Sequence, residues 1–137
     1  MGTTAIKSKN AKILIVDDSP TQLMLLKEIL LSDGYTNITE VTDPRQVDYL
    51  HRTHQFDLIL LDLNMPYVSG YDAIKQLKNI QSIKDGLSII AVSGQSDEET
   101  QQRAHMLGAK DFIAKPFQIQ ELLSQVNTQL EGANANV

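Results

Sequence analysis

Three short apolar runs constrain this chain more than any other feature: Lys12-Ile13-Leu14-Ile15-Val16-Asp17, Asp57-Leu58-Ile59-Leu60-Leu61-Asp62 and Leu87-Ser88-Ile89-Ile90-Ala91-Val92-Ser93. They do not alternate polar with apolar, so they do not suit a sheet with one wet face. Continuous runs of this length suit parallel strands covered on both faces. Asn37-Ile38-Thr39-Glu40-Val41 alternates instead, and Asp111-Phe112-Ile113-Ala114 is short, so both read as edge strands.

Helix signals fill the gaps. Ser19-Pro20-Thr21-Gln22 offers an N-cap serine, a proline for the first helical position and a Gln for a capping box, and Gly34 can stop that helix after about Asp33. Asp43-Pro44 opens a second helix and Ser69-Gly70 a third. Ser96-Asp97-Glu98-Glu99 reads as a capping box for a fourth, closed by Gly108. The last helix lines up Ile119, Leu122, Leu123, Val126 and Leu130 on one stripe, with Gln118 a poor cap before it. The order is β-α five times over, which implies a parallel sheet with helices on both faces and right-handed crossovers. With the buried runs central and the other two at the edges, the chain is an α/β, three-layer (βα)5 doubly wound domain of strand order 2-1-3-4-5, flavodoxin-like.

At 137 residues the chain is the size of one domain, with a core that needs no staples. It has no cysteine, which removes disulfides, Cys-based zinc sites and Cys nucleophiles and suits a reducing, cytoplasmic setting. No run is long and apolar enough to span a bilayer, and Met1 to Asn10 has no signal-peptide core. The formal net charge is −5 with no basic tract, so neither nucleic acid nor membrane is expected as a direct partner. Residues 1–10 and 132–137 are polar or small and read as flexible tails around a domain at 11–131.

The ligand site of an open α/β sheet lies at the carboxyl ends of its strands, where the strand order reverses. Here that crevice lies between the first and third strands, whose ends carry Asp17, Asp18 and Asp62. Two unit charges about 4 Å apart repel by roughly 4 kcal/mol at an effective dielectric of 20. A divalent cation removes that repulsion, and hard oxygen ligands with room for water and phosphate suit Mg2+. Ser93 ends the fourth strand, and Lys115, held before Pro116 in a fixed geometry that a cis bond would suit, follows the fifth. With the metal, a hydroxyl and an ammonium can hold phosphoryl oxygens.

The chain then resembles the receiver domains of two-component response regulators. The matching residues are Val-Asp17-Asp18-Ser, Leu-Asp62-Leu-Asn64-Met65-Pro66, Gly70, Val-Ser93-Gly and Asp111-Phe112-Ile-Ala-Lys115-Pro116-Phe117, over roughly residues 11–131. The resemblance implies Asp62 as phosphoacceptor. It implies Mg2+ on Asp17, Asp18, Asp62 and the backbone carbonyl of Asn64, with Asp18 the more direct ligand of the first pair. Lys115 would pair with the phosphoryl group, Ser93 would hydrogen-bond it after transfer, and Phe112 would be the aromatic that moves with Ser93. A histidine kinase or histidine phosphotransfer protein would be the donor, and a downstream protein would read the face of the fourth helix, fifth strand and fifth helix. Such a domain is a signalling phosphoacceptor rather than an enzyme, apart from metal-assisted self-phosphorylation and self-dephosphorylation. Two other functions fit the fold, a Mg2+-dependent phosphohydrolase and a phosphorylation-independent scaffold. The phosphohydrolase lacks its second acid, since Asp62-Leu63-Asn64 is no Asp-x-Asp.

Some features stay outside that set. His51 and His54 share a stripe with Val47 and Leu50 and read as partly buried helix residues, while His105 reads as exposed. The first helix carries Leu23, Met24, Leu25, Leu26, Ile29, Leu30 and Leu31, more apolar residues than one face holds, so it is either deeply packed or a docking patch. The fourth has few anchors, chiefly Ala104 and Leu107. With only short polar ends outside 11–131, output is expected through surface contacts or by passing the phosphoryl group onward.

Overall fold

A computed structural model describes residues 9–65, 69–81 and 86–135. Five strands, β1 (Ile13–Val16), β2 (Ile38–Val41), β3 (Leu58–Asp62), β4 (Ser88–Ser93) and β5 (Asp111–Ala114), form one sheet of order β2-β1-β3-β4-β5. Every pairing is parallel. The helices between and after them are α1 (Pro20–Ser32), α2 (Val47–His54), α3 (Gly70–Gln81), α4 (Glu98–Leu107) and α5 (Ile119–Ala135). The doubly wound order expected from the apolar runs is the one observed. Among the described residues no helix is long and apolar enough to cross a membrane.

The burial of the strands explains the order. All residues of β1, β3 and β4 are buried, whereas β2 and β5 keep partly exposed positions. Successive side chains of a strand point to opposite faces, and the core divides accordingly. Ile13, Ile15, Leu58, Leu60, Ile90 and Val92 pack with Leu23, Leu26, Ile29 and Leu30 of α1 and Leu122 and Val126 of α5. Leu14, Val16, Ile59, Leu61, Ile89 and Ala91 pack with Val47 of α2, Ala73, Ile74 and Leu77 of α3 and Ala104 of α4. Two helices therefore cover one face and three the other.

The helix ends show where local signals were read well and where they were not. Ser19 Oγ accepts from the Gln22 N–H at 3.3 Å and caps α1, and Gly34 takes the left-handed φ of +98° that ends it. Asp43 caps a single 3-10 turn, Pro44–Gln46, before α2 proper begins. The cap of α4 is Asp97 and not Ser96: the Asp97 carboxylate accepts from the Thr100 N–H and hydroxyl. A carboxylate there also meets the positive end of the helix dipole. Ile119 is exposed and leaves the α5 stripe, whose inward residues are Leu122 and Val126 with Leu123 and Leu130 partly covered.

The tails differ from expectation too. α5 continues through Gly132 to Ala135, because one helical glycine costs only about 1 kcal/mol and the alanines beside it favour helix. Lys9, expected in a loose tail, forms an ion pair with Asp33 at 3.0 Å. Residues 1–8 and 136–137 lie outside the described residues, as does Pro66 of the motif after β3.

Candidate functional site

The alternation that builds the core also delivers the site. Asp17, Asp62 and Lys115 continue the α1 and α5 facing register of Ile13 and Ile15, of Leu58 and Leu60, and of Ile113. They meet at the carboxyl end of the sheet. Lys115 Nζ donates to Asp17 Oδ2 at 3.1 Å and to Asp62 Oδ2 at 3.4 Å. The first backbone N–H past the acids, that of Ser19, donates to Asp17 Oδ1 at 3.0 Å, so the start of α1 orients Asp17. The Asn64 N–H donates to Asp62 Oδ1 at 3.0 Å. Lys115 is fixed in turn by its N–H, which donates to the Ser93 carbonyl at 2.8 Å; the bond from Lys115 to Pro116 is cis.

Asp17 and Asp62 are buried and Asp18 is exposed. One carboxylate oxygen from each lies within 4.8 Å of the others. Burial pushes the Asp62 carboxyl above the usual carboxylate range, helped by the Asp17 charge and opposed by the Asn64 hydrogen bond and Lys115. Burial works to lower the Lys115 pKa, but the hydrogen bond to Asp17 and the charges of Asp62 and Asp17 outweigh it and leave it raised. Lys115 therefore stays an ammonium, yet among the described residues it is the one cation paired within a cluster of three carboxylates. The Asp18 carboxylate makes no hydrogen bond or ion pair among the described residues. An exposed, free oxygen donor beside two held ones is the arrangement a hard divalent cation fits. The residues open onto a cleft of about 360 Å3 lined also by Ser19, Gln22, Asn64 and Gly94.

Ser93 is fully buried and sits on the opposite register, with Ala91. Phe112 pairs with Ala91 across β4 and β5 and is half-buried against the same cluster. Ser93 and Phe112 thus share the face covered by α2, α3 and α4, while the charged groups share the other. Ser93 Oγ accepts from the Asn64 side-chain amide at 3.1 Å and from the Gln95 N–H at 3.0 Å.

Two contacts of this site went unread in the sequence. The sequence points to Asn64 through its backbone carbonyl, and no spacing rule connects its side chain to Ser93. Gly70 was read only as a motif residue and a helix start. A Cβ there would lie 2.5 Å from the Asp62 carbonyl oxygen and 2.6 Å from Leu63 Cα. Only glycine lets α3 begin this close to the loop that carries Asp62.

Comparison with known proteins gives this geometry a family. Residues 13–127 match the response regulator receiver domain. The chain belongs to that family. The chemotaxis protein CheY of Bacillus subtilis is 34% identical over 119 residues, covering 87% of this chain and 97% of that protein. The receiver domain of a sensor histidine kinase from Pseudomonas aeruginosa, solved with a magnesium ion in its active-site cleft, aligns with a TM-score of 0.76 at 28% identity. That alignment covers 88% of this chain and 98% of that one. A CheX-CheY complex from Borrelia burgdorferi with BeF3 and Mg2+ aligns with a TM-score of 0.78 at 27% identity, covering 86% and 87%. The chain is accordingly a phosphoacceptor receiver of two-component signalling, and the phosphohydrolase reading is not favoured. Receiver domains act through kinases and downstream targets, and the acidic cluster could hold a metal.

The residues outside this set are also resolved. His51 is buried, accepting the Phe56 N–H on Nδ1 at 3.1 Å, and His54 and His105 are exposed. α1 is packed along one side: Leu23, Leu26, Ile29 and Leu30 are buried, while Met24, Leu25 and Leu31 are exposed. α4 is anchored by Ala104, partly by Leu107, and by the Arg103 guanidinium stacked 4.0 Å over the Tyr71 ring of α3.

Proposed function

We propose that Asp62 is the phosphoacceptor of this receiver. The observation that carries the assignment is the setting of its carboxylate: buried, gripped by Lys115 Nζ and the Asn64 N–H, and within 4.8 Å of Asp17 and of the exposed Asp18. An Asp62 oxygen attacks the phosphorus of a phosphohistidine on a histidine kinase or phosphotransfer protein. The P–N bond breaks and the imidazole leaves, taking up a proton. A Mg2+ ion held by Asp18, Asp17, Asp62 and the backbone carbonyl of Asn64 would supply neutralising charge for the phosphoryl oxygens. Lys115 pairs with one of those oxygens. Water attacking the acyl phosphate later returns the carboxylate and inorganic phosphate.

Ser93 reads the new charge by hydrogen-bonding the phosphoryl group, and the space it leaves is taken by Phe112. Phe112 lines a groove of about 300 Å3 with Glu98, Ala104 and His105 between α4 and β5. A downstream protein would read the state of the domain there, on the α4, β5 and α5 face. The domain works in the cytoplasm, where its donor would be.

The test is incubation of the protein with acetyl phosphate and Mg2+, followed by intact-mass measurement. The protein gains the mass of one phosphoryl group, Asp62→Asn gains none, and omission of Mg2+ suppresses the gain. Labelling of Asp62→Asn to the parent's extent would overturn the assignment, and steady turnover of phosphate esters would favour the phosphohydrolase.

A further inference from the structure

The Ser93 hydroxyl is already engaged. Its oxygen accepts one hydrogen bond from the Asn64 side-chain amide at 3.1 Å and one from the Gln95 N–H at 3.0 Å. A serine oxygen has two acceptor lone pairs, so both are in use. Asn64 also donates its backbone N–H to Asp62 Oδ1 at 3.0 Å. A single residue therefore grips both groups that the switch must join, the acceptor through its main chain and the hydroxyl through its side chain. The two bonds on Ser93 differ in kind. The Gln95 N–H belongs to the turn that follows β4 and travels with Ser93. The Asn64 amide belongs to the loop after β3, so a Ser93 hydroxyl that turned to the phosphoryl group would have to leave it. Among the described residues, Asp62 takes hydrogen bonds from Asn64 and Lys115 and none from Ser93.

We propose that the Asn64 side-chain amide is a latch that holds Ser93 in its resting place. It is a positioning residue, and its role rests on Asp62 being the phosphoacceptor. The contact belongs to the resting state alone, so removing it shifts the balance toward the switched state. One hydrogen bond from a solvent-exposed amide corresponds to about a fivefold change in that balance. Asn64 is exposed, so truncating its side chain leaves no cavity, and the backbone carbonyl and N–H remain in place.

The experiment is titration of the parent and Asn64→Ala with beryllofluoride in the presence of Mg2+, each in the Ser93 and the Ser93→Ala background. It is followed by the backbone amide resonances of Gln95 and Phe112. Asn64→Ala is expected to bind beryllofluoride about fivefold more tightly when Ser93 is present and no more tightly when it is replaced by alanine. In Asn64→Ala without beryllofluoride, both resonances should already lie part-way toward their saturated positions. Unchanged or weaker binding in Asn64→Ala, or the same tightening in both backgrounds, would overturn the latch while leaving Asp62 as acceptor. If the parent fails to bind beryllofluoride, or Asp62→Asn binds it equally well, the acceptor assignment fails and the latch with it.

Discussion

The two ends of the sheet are built from similar groups and solve opposite problems. At the carboxyl end, Asp17 and Asp62 share the cation Lys115, and among the described residues Asp18 beside them has no hydrogen bond or ion pair. At the amino end, Lys9 Nζ donates to Asp33 Oδ2 at 3.0 Å and to Asn127 Oδ1 at 3.4 Å, and Asn127 Nδ2 donates to Asp33 Oδ2 at 3.2 Å. The Tyr35 hydroxyl donates to Asn127 Oδ1, and the Lys9 ammonium lies 4.2 Å over the Tyr35 ring. This second cluster ties the segment before β1, the end of α1 and the middle of α5 together. Lys9 and Asp33 neutralise each other within it, so this cluster holds the fold. The carboxyl end is left with surplus negative charge, which is what a site for a cation and a phosphoryl group requires.

That division can be broken by mutation. The largest effect is expected from Tyr35→Ala, since Tyr35 is fully buried and emptying such a site costs about 3–5 kcal/mol. Urea denaturation would read the loss, while the folded variant should still be labelled by acetyl phosphate. Loss of labelling at conditions where the variant is folded would mean that the two ends are not separable. Gly70→Ala comes next. The new methyl meets Asp62 and Leu63 backbone, which must shift at a cost of about 1–3 kcal/mol, and phosphoryl labelling should slow more than stability falls. A variant with the parent's stability and labelling rate would show that the approach of α3 to the loop is slack.

The smallest effect is in the pH profile without Mg2+, and the two ends should give it opposite signs. The Asp62 pKa is raised in the folded state above the unfolded value of 3.8, chiefly by burial. The folded state thus takes up this proton first, and stability from Asp62 rises as pH falls through the raised value toward 3.8. The Asp33 pKa is lowered, chiefly by its hydrogen bond to Lys9. Its contribution is complete above 3.8 and is lost as pH falls through the folded value. Melts from pH 7 to pH 3 in EDTA should therefore show Asp62→Asn as more stable than the parent near neutrality, with the advantage fading in acid. Asp33→Asn should be less stable, with its deficit fading in acid. An Asp62→Asn profile parallel to the parent's would show that folding does not raise the Asp62 pKa.

Much of this was legible before any coordinates. The unbroken apolar runs marked β1, β3 and β4 as central because only a strand buried on both faces can be apolar at every position. The strand ends also pointed to Asp17, Asp18, Asp62, Ser93 and Lys115, but side-chain parity turns the resting Ser93 to the face opposite Asp17, Asp62 and Lys115. The helix ends were legible less well. Ser96 and Asp97 are both competent caps, and the choice fell to Asp97, whose charge suits the helix dipole. The seven apolar residues of α1 could not be divided by pattern, and the sheet buried four of them and left Met24, Leu25 and Leu31 outside.

The sequence by itself determined what depends on periodicity: the class of fold, the order of its strands and the acids that crown them. Period and parity act within one element, and burial enforces them along its whole length. Tertiary structure alone decided the Asn64 grip on Ser93, the bare backbone that Gly70 presents to Asp62, and the pairing of Lys9 with Asp33 beside Tyr35. Each of these is a distance of a few ångströms between atoms that no sequence repeat relates. Such distances have no period to betray them and exist only once the layers have packed.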